Sequence, residues 1–144
     1  MVRTTKDIIL RIKSHGERTY PEECCGIMLG VSDEDNQMVE EIVELDNEQD
    51  GNRRRRFFVT PNQYLQAERT AAEKNLQLLG FYHSHPDHPA APSEFDREHA
   101  LPWFTYVIVA VSKGKANDVT TWLLSESREQ FDQDELLIEE TVTK

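Results

Sequence analysis

At 144 residues, with 38% hydrophobic and 30% charged side chains, the chain has the make-up of one folded domain, with no apolar run near the ~18 residues a membrane span needs. Asp and Glu number 27 against 16 Lys and Arg, a formal net charge of -11, which argues against nucleic acid or an anionic membrane as partner. The two cysteines, Cys24 and Cys25, are adjacent and offer neither a disulfide framework nor a C-x-x-C metal pair, so reduced thiols are expected.

The stretch MVRTTKDIILRIKSHGERTY mixes charge with apolar residues and lacks the pattern of a secretory leader, so a cytoplasmic location is expected. Thr4 and Thr5 precede Ile8, Ile9 and Ile12, which share one helical face, and Pro21 closes the segment; a helix is expected over 5 to 19. CGIMLG reads as a buried strand, Ser32 to Gln37 as a turn, and MVEEIVEL as a second strand ending near Asn47. NEQDGNRRRR is a loop leading into FFVT, a third strand. Thr60 and Pro61 open a second helix that runs to about Asn75. LQLLGFYHSH is then a strand, SEFDREHA a short helix capped by Ser93, and FTYVIVAVS, VTTWLLS and ELLIEE three further strands. Irregular alternation of strands with two long helices and one short one, without repeat or linker, predicts one α+β or α/β domain with a mixed sheet over residues 1 to 144.

Chemistry concentrates in GFYHSHPDHPAAPSEFD, residues 80 to 96, which holds three of the five histidines. On a strand, His83 and His85 project from the same face, two imidazoles side by side. Pro86, Pro89 and Pro92 stiffen the loop that follows. Ser93 is a natural N-cap, and the S-x-x-D spacing puts Asp96 in the first turn of the next helix, where it can face the two histidines. Two imidazoles and a carboxylate, with a fourth position left to water, is the ligand set of a catalytic zinc site. A general base belongs beside it, and PEECCG offers Glu23 at the junction of the first helix and first strand, with Glu22 equally placed by spacing. Taken alone, Ser93 and Asp96 are an ordinary helix cap; the conjunction with H-x-H is what favours a metal.

HSHPDHPAAPSEFD fits, without a gap, the H-x-H-P-x6-S-x-x-D signature of the JAMM/MPN+ zinc metalloproteases, and EECCG resembles their upstream E-x-x-G element. The order of expected elements resembles that fold as far as FTYVIVAV. The resemblance implies a single MPN/JAMM domain, related in fold to the cytidine deaminases. It implies His83, His85 and Asp96 as ligands of one Zn2+, Glu23 rather than Glu22 as acid/base, and Ser93 as hydrogen-bond donor to the oxyanion. It also implies an isopeptidase or peptidase acting at the C-terminal tail of a ubiquitin-like protein. The short connections resemble the compact prokaryotic branch, whose partners are sulfur-carrier proteins of the ThiS or MoaD kind, cut after their diglycine.

Other features have plainer readings. Asp87 and His88 are expected in a solvated loop, Cys25 as a small buried hydrophobe rather than a nucleophile, and His99 as packing or support behind the ligands. Arg53 to Arg56 form a solvated basic run, or else a docking patch for an acidic carrier. Three other functions compete: a silent MPN scaffold, a zinc nucleoside deaminase, and an iron oxygenase with two histidines and one carboxylate. The deaminase wants H-x-E followed by P-C-x-x-C, which the chain lacks, and metal identity separates the oxygenase. Oligomeric state is not legible.

Overall fold

The computed structural model describes residues 1–33, 36–47, 51–52 and 59–140. In chain order the elements are β1 (Val2–Thr5), α1 (Lys6–Thr19), β2 (Cys25–Asp33), β3 (Asn36–Leu45), α2 (Pro61–Glu73), β4 (Gln77–Pro86), α3 (Glu94–His99), β5 (Thr105–Ser112), β6 (Lys115–Leu124), β7 (Phe131–Asp134) and β8 (Leu136–Glu139). The described strands join one mixed sheet in the order β7-β6-β5-β4-β2-β3-β1-β8, so the expected α+β architecture with flanking helices is what forms. Among the described residues no helix is long and apolar enough to cross a membrane.

Helix α1 starts where Thr5 accepts the Ile8 N–H, satisfying one of the amides a helix start leaves unpaired. Its Ile8 and Ile12 cover one face of the sheet against Met28, Tyr82, Val107 and Val109. Fully burying side chains of this size stabilises the fold by about 1.5–3 kcal/mol each. On the opposite face, Ile27, Leu29, Phe81 and Tyr106 pack under Ala67 and Ala71 of α2 and under Ala100 and Phe104, which follow α3. Thr60 and Gln63 close a reciprocal capping box at the start of α2, with Pro61 at its first position.

The central pair β2 and β4 runs antiparallel with a register shift between Met28 and Leu29, where Leu79 is the extra residue on β4. Leu78 and Phe81 therefore share the α2 face although they are three apart, while Leu79 and Tyr82 share the α1 face. From Phe81 onward the period of two resumes and carries His83 and His85 onto the α2 face. Opposite Tyr82 stands Gly26, and a Cβ there would lie 2.2 Å from the Tyr82 ring. Only glycine lets that ring cross the neighbouring strand, which gives the E-x-x-G glycine a packing reason.

Several expectations need correction. Asp33 pairs with Asn36, so Ser32, Asp33, Asn36 and Gln37 belong to the β2/β3 hairpin strands, not to a turn. Val59 and Thr60 are not in a strand; Phe57, Phe58 and the run Arg53 to Arg56 lie outside the described residues. Strands β1 and β7 carry almost no apolar signal. They form because β1 pairs in parallel with β3 and β8, and β7 pairs with β6, partners that no local pattern announces.

Candidate metal centre

The centre is built where β4 ends. His83 and His85 are 1% and 0% exposed, with Nε2 atoms 3.3 Å apart. Beyond β4 the Pro-rich loop turns the chain back and Ser93 caps α3: its hydroxyl accepts the Asp96 N–H at 3.1 Å, and Asp96 Oδ2 accepts the Ser93 N–H at 2.9 Å. This capping box fixes the Asp96 carboxylate so that the same Oδ2 stands 3.2 Å from His83 Nε2 and 3.0 Å from His85 Nε2. The cap and the candidate ligand are thus one group in one geometry.

The tautomer of His85 follows from its surroundings. Its Nδ1 is 2.8 Å from the Pro89 carbonyl, which can only accept, so Nδ1 carries the proton and a neutral ring turns the Nε2 lone pair inward. That lone pair then faces a carboxylate oxygen at 3.0 Å, two acceptors that need a cation between them. A metal ion satisfies this donor set, and the backbone carbonyl behind His85 is the kind of outer partner that orients a ligating imidazole. Asp96 Oδ1 is buried without a hydrogen-bond partner, a second sign that the carboxylate is arranged for something other than the cap alone. Burial would lift the Asp96 carboxyl, but positive charge held at the His83 and His85 rings against it pulls it well below the usual carboxylate range.

Glu23 hangs over the pair. It lies just before β2, is 1% exposed, and has a carboxylate oxygen in a group with the His83 and His85 ring nitrogens, all within 4.8 Å of one another. Neither of its oxygens has a hydrogen-bond partner. Burial first, then the Asp96 charge, push its carboxyl up to about 9. A buried carboxyl this strongly perturbed beside two imidazoles marks the cluster as a functional centre. Glu22, equally placed by spacing, is exposed, because the turn before β2 directs only the second of the two acids inward.

Of the other residues near the centre, His88 departs from expectation, while Asp87, His99 and Cys25 largely meet it. His88 is not a solvated loop residue: it is half-buried and stacks on His85 with ring centroids 4.2 Å apart. Asp87 is exposed but anchored, taking the Lys113 N–H at 2.7 Å and the Tyr20 hydroxyl, and its φ of +57° turns the loop so that His88 folds back. His99 is exposed, stacks on Phe95 at 4.0 Å and donates to the Phe95 carbonyl, so its ring is held by its own helix rather than behind the ligands. Cys25 is buried as expected, and burial pushes the neighbouring Cys24 thiol up to about 12, far from a thiolate nucleophile.

Beside the cluster runs a cleft of about 310 Å³ between α2 and α3. His83 and Asp96 form its polar end, while Tyr64, Phe95, Tyr106 and Phe131 line the apolar remainder. Nothing in residues 59 to 64 or at Phe131 marks them as cleft residues in the sequence; they meet only because α2 and β7 pack over the same face.

A family model described as prokaryotic homologs of the JAB domain matches residues 5–125. A Desampylase from Pyrococcus furiosus is 33% identical over 70 residues, 49% of this chain, and the match spans only 48% of that protein's length. A solution structure of a protein from Desulfitobacterium hafniense superposes with a TM-score of 0.86 at 26% identity, covering 99% of this chain and 95% of that one. One from Salinibacter ruber gives 0.74 at 40% identity over 94% and 90%. A crystal structure of a JAB1/MPN domain protein from Archaeoglobus fulgidus gives 0.59 at 16% identity over 97% and 98%, a likeness of fold alone.

Proposed function

The chain belongs to the family of prokaryotic homologs of the JAB domain, and from that premise we propose that it is a zinc-dependent hydrolase cleaving the bond after the C-terminal diglycine of a ubiquitin-like sulfur-carrier protein. The observation that carries this reading is the convergence of His83, His85 and Asp96 on one point with the unpartnered Glu23 carboxyl beside them.

His83 and His85 through Nε2, and Asp96 through its carboxylate, would hold the zinc. When bound, the ion supplies a lowered pKa for an attacking water and polarises the scissile carbonyl. Glu23 takes a proton from that water and returns it to the departing amine; it accepts as the carboxylate, the form that a bound cation beside it would favour. The Ser93 hydroxyl oxygen is occupied as acceptor of the Asp96 N–H, which leaves its proton to donate to the carbonyl oxygen as negative charge develops there. Burial of Glu23, His83, His85 and Asp96 strengthens their interactions relative to water.

A substrate must thread a flexible tail to a centre this buried, and a diglycine, with no side chains, passes where bulkier residues would not. The apolar cleft between α2 and α3 gives the residues flanking the cut a place to lie. The likeness to a Desampylase, across just under half of that protein's length, supports a ubiquitin-like partner. The test is mass spectrometry of a purified carrier bearing one residue beyond its diglycine, incubated with zinc-loaded protein. Release of that residue is expected. A carrier left intact by a zinc-loaded chain would contradict the substrate, and a chain that neither binds zinc nor cuts any such tail would be a scaffold.

A further inference from the structure

We propose that Ser84, the residue between the two histidines, is a positioning residue that holds Glu23 over the centre; the role rests on the hydrolase reading above. The β2/β4 ladder pairs Cys25 with His83, and there the regular strand β2 begins. One step further, the positions facing each other are Cys24 and Ser84, and Glu23 follows outside any regular element. Ser84 supplies what the ladder no longer does. Its backbone N–H donates to the Cys24 carbonyl at 3.2 Å, and its side-chain hydroxyl accepts the Cys24 N–H at 2.8 Å. Both backbone polar groups of Cys24, the residue after Glu23, are therefore tied to one residue of β4.

The alternation of the strand explains why a hydroxyl serves here. Side chains of His83 and His85 point to the α2 face, so the residue between them points to the α1 face and cannot be a ligand. Ser84 is fully buried there under α1, where Gly16 brings the helix close enough that a Cβ on it would lie 3.3 Å from Ser84 Cβ. The short serine side chain fits beneath the helix and brings a hydroxyl acceptor to the Cys24 N–H. A second tie, from Asn47 Nδ2 to the Glu23 carbonyl at 3.2 Å, secures the segment from β3's end. The Glu23 side chain itself has no hydrogen-bond partner, so its place over the histidines depends on how its backbone is held.

The test is a double-mutant cycle with Ser84→Ala and Glu23→Gln in zinc-loaded protein, reading kcat, KM and zinc content. Ser84→Ala is expected to keep one zinc per chain and an unchanged KM while kcat falls about ten- to a hundredfold, the scale of a misplacement near 1 Å. In the Glu23→Gln background the same change is expected to cost less than about twofold, because the two residues act through one group. A Ser84→Ala variant with full kcat, or with the same loss in both backgrounds, overturns the proposal. One that fails to fold or to bind zinc also overturns it, since Ser84 would then serve the fold or the metal. Should the wild type cut no carrier, the hydrolase reading fails by itself. The clamp is then read from crystal structures: a Glu23 carboxylate displaced in zinc-loaded Ser84→Ala supports it, and an unmoved one overturns it.

Discussion

Glu23→Gln is expected to leave zinc bound and to lower kcat by about two to four orders of magnitude, the range for losing a general acid/base. Glutamine keeps the shape and removes the proton transfer, so KM should hold and the pH dependence of kcat contributed by this group should vanish. The same substitution has a thermodynamic signature in the metal-free protein. The Glu23 carboxyl rises from 4.5 unfolded to about 9 in the fold, chiefly through burial. Between those values the folded state holds a proton that the unfolded state has lost, so stability falls as pH rises, by roughly 1.4 kcal/mol per pH unit, and levels off above 9. By pH 7 the cost is on the order of 3 kcal/mol. Metal-free Glu23→Gln should therefore be more stable than wild type at pH 7 and should lose the slope over this window. Urea unfolding of both proteins from pH 4 to pH 9 checks this. Parallel curves would mean that Glu23 is not buried as a lone acid.

Asp96→Asn separates the ligand reading from the helix-cap reading. Asparagine keeps a side-chain oxygen that can accept the Ser93 N–H, so the α3 cap survives, but it brings no charge to the two imidazoles. Zinc affinity is expected to fall at least about a hundredfold, since even outer-shell changes cost 10–100-fold, and cleavage should disappear at limiting zinc. Ser93→Ala makes the opposite change. It removes the acceptor for the Asp96 N–H at a cost of about 0.5–2 kcal/mol in stability while leaving the zinc affinity near wild type. A chelator competition on both variants decides the matter. Equal affinities in Asp96→Asn and wild type would make Asp96 a cap residue and nothing more.

The contrast between these residues shows why some of the centre is legible in the sequence. His83 and His85 announce themselves because a strand has a period of two, and Ser93 and Asp96 because a capping box is a local object. Both are set within a few residues of chain, and the structure places all four where those periods put them. The choice between Glu22 and Glu23 is not of that kind. It depends on the direction in which the chain leaves the turn after α1, and the residues alone left it to a resemblance. Ser84 is more hidden still, since its partner Cys24 is 60 residues away and its importance lies in where β2 stops pairing. His88 looked like loop because its neighbours are prolines, yet the left-handed Asp87 folds its ring onto His85. For the fold the division is the same. Apolar strands such as Thr105–Ser112 declare themselves, whereas Val2–Thr5 and Phe131–Asp134 are strands only by virtue of the neighbours that pair with them.

The most direct test of the account is the zinc content of the purified chain, as isolated and after zinc addition, for wild type beside His83→Ala/His85→Ala. One zinc per wild-type chain, absent from the double variant, is the predicted result. No stoichiometric zinc under either condition, or zinc retained without the two histidines, would contradict the metal centre and the hydrolase built on it.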